Sequence, residues 1–228
     1  MYRRIIALNN MGVQSLQRGN LPEAIRLFRH AIDIVKTNLG NSPSEESSNN
    51  NTDRDGTLLI RRPLEFFTEG HIGDASPHNV FGIFTCAFGL PRLNGQSAHN
   101  TPHEISVTLM YNLALAHHLA GLLREENKRY HLVHALHHYK LSLGIFNSCK
   151  AQSDFDLSFC SLLCGSCTNC GHILSHLGRV REALICSDYL ATVLESAGCT
   201  IDLTEDECEY FYTITYCSKN SCNVAPAA

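Results

Sequence analysis

Two groups of side chains in this chain have the types and spacing for chemistry. Cys160, Cys164, Cys167 and Cys170 form the first, and thiolates at Cys-x-x-Cys spacing are common ligands of zinc and iron–sulfur clusters. Here, however, Cys160, Cys164 and Cys167 stand at i, i+4 and i+7, the stripe that a helix buries. One straight helix cannot wrap four sulfurs around an ion, and Cys is a frequent small core residue, so the run reads as packing. His117, His118, His131, His134, His137 and His138 form the second group. His134 and His138 are four apart on one helical face with His131 adjoining, a spacing able to chelate a transition metal. No carboxylate falls at Glu-x-x-His spacing to complete a two-metal centre. The face lies away from the Leu132–Tyr139 stripe, so its ordinary use is a solvated or interface surface, with a pH response between about pH 5 and 8 as a third possibility. No nucleophile elbow, phosphate loop, His-Glu-x-x-His or paired-carboxylate signature occurs, so no catalytic residue and no cofactor is expected.

The elements that carry these residues announce themselves by a pattern written three times. An Asn is followed by two small or apolar residues, with a Gly nine residues after the Asn: Asn10-Met11-Gly12 to Gly19, Asn112-Leu113-Ala114 to Gly121, and Asn169-Cys170-Gly171 to Gly178. Self-similarity of this kind marks helical repeats, whose units must stack to bury their apolar faces. In the first copy, about 4–39, Ile5, Leu8, Met11 and Leu16 form one helix that Gly19 ends. Asn20 then caps a second helix, with Glu23 placed to complete a capping box and Ala24, Ile25, Phe28, Ala31, Ile32 and Val35 as its buried stripe. The second copy, about 101–148, starts at Thr101-Pro102-His103-Glu104, another cap-and-Glu pair. Its inter-helix connection, Leu122 to Arg129, is nine residues longer than in the other copies. The third copy spans about 155–198. Thr204 and Glu207 open a last helix, about 204–217, suited to cover an exposed repeat face.

Between the first two copies the character changes. Residues 41–56 contain no apolar side chain and are expected to be a disordered linker. Over about 58–95, Leu64–Phe67 and Val80–Leu90 are rich in Phe, Val and Ile with turn residues between them, which predicts two short strands in an inserted β-hairpin.

Composition limits the partners. The net charge is −4 and no block of Lys or Arg exceeds a pair, against nucleic acid or an anionic membrane as the main partner. No apolar run approaches the roughly 18 residues that span a bilayer, and polar Asn9, Asn10, Gln14 and Gln17 interrupt any leader. Eleven cysteines without a secretory signal fit reduced thiols and an intracellular, cytoplasmic setting.

The three hairpins resemble the tetratricopeptide repeat over about 110 of the 228 residues. Gly12, Gly19, Ala24, Phe28 and Ala31 match its small and aromatic packing sites. The second copy matches at Ala114, Gly121, Ala135 and Tyr139, and the third at Gly171, Gly178 and Ala183, with Ser187 where the family has an aromatic. The stretch Tyr111–Leu119 and the final Ala225-Pro226-Ala227-Ala228 also resemble a group of uncharacterised tetratricopeptide-like proteins of diatom algae, which has no activity to lend. The resemblance implies an all-α fold: a helical-hairpin solenoid of three degenerate repeats plus a C-terminal capping helix, with the β-hairpin inserted. It also implies a concave groove that binds a peptide or a partner helix, lined by Asn10, Val13, Asn112, Leu115, His118, Asn169, His172 and His176. An Asn carries donors and an acceptor, so a ladder of three can hold a backbone of any sequence. The alternative use of the same side chains is to bond local turns. One family subtype grips a C-terminal carboxylate with Lys and Arg. Here those places hold Asn9, Val13, Gly165 and Asn169, with only Asn112 in agreement, which disfavours that ligand. The expected function is a non-catalytic protein-interaction scaffold. The alternative is a metal- or redox-responsive protein using the His131–His138 face or the Cys160–Cys170 helix.

Overall fold

The computed structural model describes residues 1–39, 59–64, 81–91, 101–124, 126–150, 159–195 and 203–221. It is mostly helical, with one small two-stranded sheet. The helices are α1 (Tyr2–Gln17), α2 (Leu21–Leu39), α3 (Pro102–Leu123), α4 (Lys128–Lys150), α5 (Cys160–His176), α6 (Val180–Glu195) and α7 (Glu205–Ser221). Strand β1 (Ile60–Pro63) pairs antiparallel with β2 (Cys86–Gly89), Ile60 opposite Gly89 and Pro63 opposite Cys86. Each helix packs on the next in chain order, and α1, α3 and α5 also touch in sequence, forming an inner row.

Local chemistry sets the boundaries. Gly19 and Gly178 both have φ of 70°. At the first, the Gly19 amide bonds the Leu16 carbonyl and the Asn20 amide reaches back to Ser15; at the second, Gly178 bonds Ser175 and Arg179 reaches Leu174. Only Gly adopts this left-handed closure without strain, so the chain reverses at these two points. The closure also changes the expected cap. Asn20 does accept from the Glu23 amide at 3.4 Å, but its own amide is already used, and the Glu23 carboxylate bonds Arg26 instead of reaching back. The expected boxes at Thr101/Glu104 and Thr204/Glu207 are both present.

Gly121 behaves differently, because α3 runs through it and the left-handed residue is Asn127, at φ 63°. The nine additional residues of the second copy are not a long loop. Aligned on the shared pattern, α3 continues four residues beyond the point where α1 stops, and α4 begins four residues before the start of α2. Each helix gains about one turn, and the connection gains one residue. A Cβ at Gly121 would press on Leu132 at 3.0 Å, so this glycine admits α4 close to α3.

The hairpin exists, but its first strand lies earlier than Leu64–Phe67. Residues 65–80 lie outside the described residues, as do 40–58 with the expected linker. α3 is long and apolar enough by composition to cross a membrane, contrary to the run-length estimate, yet 83% of its most apolar window is buried within the protein. Phe28, Tyr111, Tyr139, Phe88, Phe159 and Phe211 are fully buried in one continuous core that includes both helices and β2. α7 packs on α6 and α5, with Phe211 and Ile214 inward.

Candidate functional site

The inner row of helices carries the asparagines of the threefold pattern, and all three close on one extended segment, Phe81–Pro91. The Asn10 amide donates to the Leu90 carbonyl at 2.8 Å and its oxygen accepts the Leu90 amide at 2.9 Å. Asn112 holds Phe88 in the same two-way fashion, at 2.7 and 3.0 Å. Asn169 holds Phe84 likewise, at 3.1 and 2.9 Å. These are backbone clamps, and nothing in them depends on the side chain of the residue held.

Asn9 adds a cross-link. Its amide donates to the Phe88 carbonyl at 3.1 Å and to the Asn10 oxygen, while its oxygen accepts from Asn112 at 2.9 Å. Asn9, Asn112 and Asn169 are fully buried, so each of these bonds is made away from water. The remaining Asn169 amide hydrogen reaches the Tyr139 hydroxyl at 2.9 Å.

The geometry follows from strand alternation. Successive backbone amides of an extended chain point to opposite edges. Phe84, Phe88 and Leu90 share one edge and turn it to the asparagines. Thr85, Ala87 and Gly89 share the other and face β1, where Leu64 donates to Thr85 at 2.9 Å. Six extended residues span about 20 Å. That matches two steps between packed helices of about 8–10 Å each. The segment runs against the helix order, entering at α5 and leaving at α1.

Side chains fill what the clamps leave. Phe88 meets Tyr111 edge-on at 5.1 Å, and Tyr111 meets Tyr139 at 5.6 Å. Phe84 sits against Phe211 at 5.0 Å and Tyr210 at 6.0 Å, both from α7. A Cβ at Gly165 would collide with the Phe84 ring, and one at Gly171 with the Phe81 ring. The second collision has a parallel in the first hairpin, where a Cβ at Gly12 would meet the Phe28 ring at 2.5 Å. Phe28 is the aromatic of its own hairpin. The third hairpin has Ser187 at that place, and its hydroxyl bonds Ser218 of α7. Phe81 therefore supplies the ring that the third hairpin lacks.

The other residues expected to line a groove divide. Val13 and Leu115 are buried among apolar neighbours, at 2% and 0% exposure. His118, His172 and His176 form a cluster of rings. His118 Nε2 lies 3.0 Å from His172 Nδ1, and the His172 and His176 rings are 4.7 Å apart. Burial drives His118 well below the ordinary imidazole value and His172 down to about 3, with His176 adding repulsion to both.

The denser histidine group is graded in burial: His117 is buried, His131, His134 and His138 are half-buried, and His137 is exposed. Arg29 of α2 lies 3.2 Å from His117 Nε2, and His117 Nδ1 lies 2.9 Å from His131 Nδ1. Arginine can only donate, so His117 accepts at Nε2, carries its proton on Nδ1, and passes that bond to His131. His131 stands on the extra first turn of α4, so this contact exists because of the nine-residue insertion. Burial, then Arg29, lowers His117 to about 3; burial, then His137 and His134, lowers His138 to about 4. His131 and His134 are lowered as well, chiefly by burial. The His134 and His138 rings are 6.4 Å apart, and among the described residues no three His, Cys, Asp or Glu side chains converge as a metal site. Cys160, Cys164, Cys167 and Cys170 are buried thiols along α5, as the stripe spacing predicts. Burial raises Cys167, and burial pushes Cys86 of the clamped segment up to about 12, so both stay protonated and poorly nucleophilic.

Sequence reasoning placed Asn9 and Gly165 only where a family subtype carries Lys and Arg, and it missed the identity of the occupant. Two signals were present: Gly165 stands where the other copies have Ile6 and Thr108, and Ser187 stands where they have Phe28 and Tyr139. A missing ring and an extra hole in one repeat call for an aromatic from elsewhere. Comparison of the chain with protein-family models, curated proteins and solved structures gave no match.

Proposed function

We propose that the chain is a non-catalytic interaction scaffold of tetratricopeptide-like, solenoid type, whose inner groove takes one extended peptide by its backbone, and whose resting occupant is its own Phe81–Pro91 segment. The observation that carries this reading is the threefold clamp: Asn10, Asn112 and Asn169, equivalent in the sequence pattern, each engage both backbone groups of one residue. Equivalent side chains with equivalent bonding are what a sequence-tolerant peptide site requires. The partner is a protein or peptide, and the unclustered charge supports neither nucleic acid nor membrane. Buried thiols suit an intracellular, cytoplasmic setting.

The test is affinity capture with three proteins: wild type, Phe84→Ala/Phe88→Ala to loosen the occupant, and that variant with Asn10→Ala added. Asn10 is only partly buried, so its loss weakens the clamp with little harm to the core. Partners should be gained by the second protein and lost by the third; identical lists from all three would end the reading. The metal- or redox-responsive alternative gains no support from the spacing of the His134 and His138 rings or from the raised Cys167 thiol. Stoichiometric zinc or iron in protein purified without chelator would revive it.

A further inference from the structure

The geometry points to a specific partner chemistry for the groove, resting on the scaffold reading above: an extended strand with the pattern Phe-x-x-Phe-x-x-x-Phe-x-Leu, bound with its N-terminal end at α5 and its C-terminal end at α1. The asparagines set direction and register but accept any sequence, so selectivity must come from what the side chains enter. Four places are shaped for large apolar groups. The first lies over Gly171, where the Phe81 ring stands in the space a Cβ would take. The second lies over Gly165, walled by Tyr210 and Phe211 of α7. The third is bounded by Tyr111, backed by Tyr139. The fourth takes Leu90, which is wholly buried beside the Asn10 clamp. Between the second and third, Cys86 and Ala87 are buried small residues, so bulk there is excluded.

Glycine at 165 and 171 is the discriminating feature. Each opens a ring-sized hollow on the inner row, and aromatic burial is the strongest available anchor for a strand. A partner with charged or β-branched residues at these places would leave the hollows empty or desolvate its charge.

The chain's own segment competes with such a partner. A tethered ligand acts at an effective concentration in the millimolar range, so an added peptide meets a mostly filled groove. With the groove 99% closed, the apparent affinity would fall about 100-fold. The matched partner is thus admitted in proportion to how well it copies the resident pattern.

The experiment uses a fluorescent peptide with the sequence of Phe81–Pro91 and Cys86→Ser, titrated by anisotropy against full-length chains. The Phe84→Ala/Phe88→Ala chain, checked for helicity by circular dichroism, should bind it at least tenfold more tightly than wild type. The same peptide with Phe84→Ala and Phe88→Ala should bind at least tenfold more weakly. Should the double variant lose helicity, the Phe84→Ala chain replaces it with the same expectation, and hydrogen exchange of wild type with excess peptide should show faster exchange in its own Phe81–Pro91 segment. Equal binding of the aromatic and alanine peptides by a folded variant would overturn the pattern and leave the scaffold reading standing. Binding of neither would overturn both. A wild-type dimer that exchanges these segments between copies would overturn the partner assignment in favour of a second copy of the chain.

Discussion

On the inner helices α3 and α5, asparagines and histidines stand within a turn or two of one another, yet they are used in opposite ways. Asn112 and Asn169 are fully buried with every described bond going to a fixed backbone or side-chain group. His118 is equally buried, but its Nδ1 has no hydrogen-bond partner, and neither has Nδ1 of His138. A neutral amide matches a backbone peptide group in both donor and acceptor, and its bonding is indifferent to pH. An imidazole offers one donor and one acceptor, and becomes a cation on a second protonation. Burial disfavours that charge at both rings, and so do the neighbouring imidazoles and, at His138, Arg29 and Lys36. The asparagine line is therefore a fixed fastening, and the buried rings of His118 and His172 favour the neutral form.

Replacing Asn112 by Ala should cause the largest loss. It strands the Phe88 amide and the Asn9 oxygen in a dry interior, at a cost of about 3 kcal/mol. Urea unfolding should give the same decrement at pH 8 and pH 6; a decrement that grew with acidity would erase the contrast drawn above. Gly171→Ala tests the apolar side of the same fastening. The added methyl meets the Phe81 ring, as Gly12→Ala meets Phe28, and overpacking of this kind costs about 2 kcal/mol. The two substitutions should be similar alone, while Phe81→Leu relieves only the first.

Acidity acts through His117, His118, His131, His134, His138 and His172. The folded values of these six lie below the unfolded value of about 6.5, so between these limits the unfolded chain binds more protons and stability falls as pH falls. For His172 the window runs from about pH 6.5 down to about 3, at up to about 1.4 kcal/mol per pH unit. His172→Gln should flatten the slope by about one proton, read from unfolding free energies at pH 7, 6 and 5; an unchanged slope would mean that His172 is not held neutral. Asn10→Ala is the mildest change. Asn10 is partly exposed, water can replace its bonds to Leu90, and a loss of about 1 kcal/mol is expected.

Periodicity made the helices legible, because buried stripes, caps and the Gly19 and Gly178 reversals are local properties. The three asparagines were legible as backbone-holding groups for the same reason. What they hold was not. Residues 84 and 169 are far apart in sequence, and no local rule joins them. Val80–Leu90 was read as a strand, correctly for Cys86–Gly89, but a strand pattern does not disclose its second edge. The His131 contact was hidden because nine extra residues were read as connection, whereas eight of them extend the two helices by a turn each. Val13 and Leu115 were expected to line a groove, and both are buried in the core.

The borrowed ring of the third hairpin has a temporal consequence. Phe81 and Phe84 are synthesised more than eighty residues before Gly165 and Gly171. At roughly 5–20 residues per second, that interval is several seconds. During translation these rings exist without their destination, and α5 then emerges lacking an aromatic of its own. The plug waits for its socket, so a nascent chain stopped before α5 leaves its stickiest residues bare.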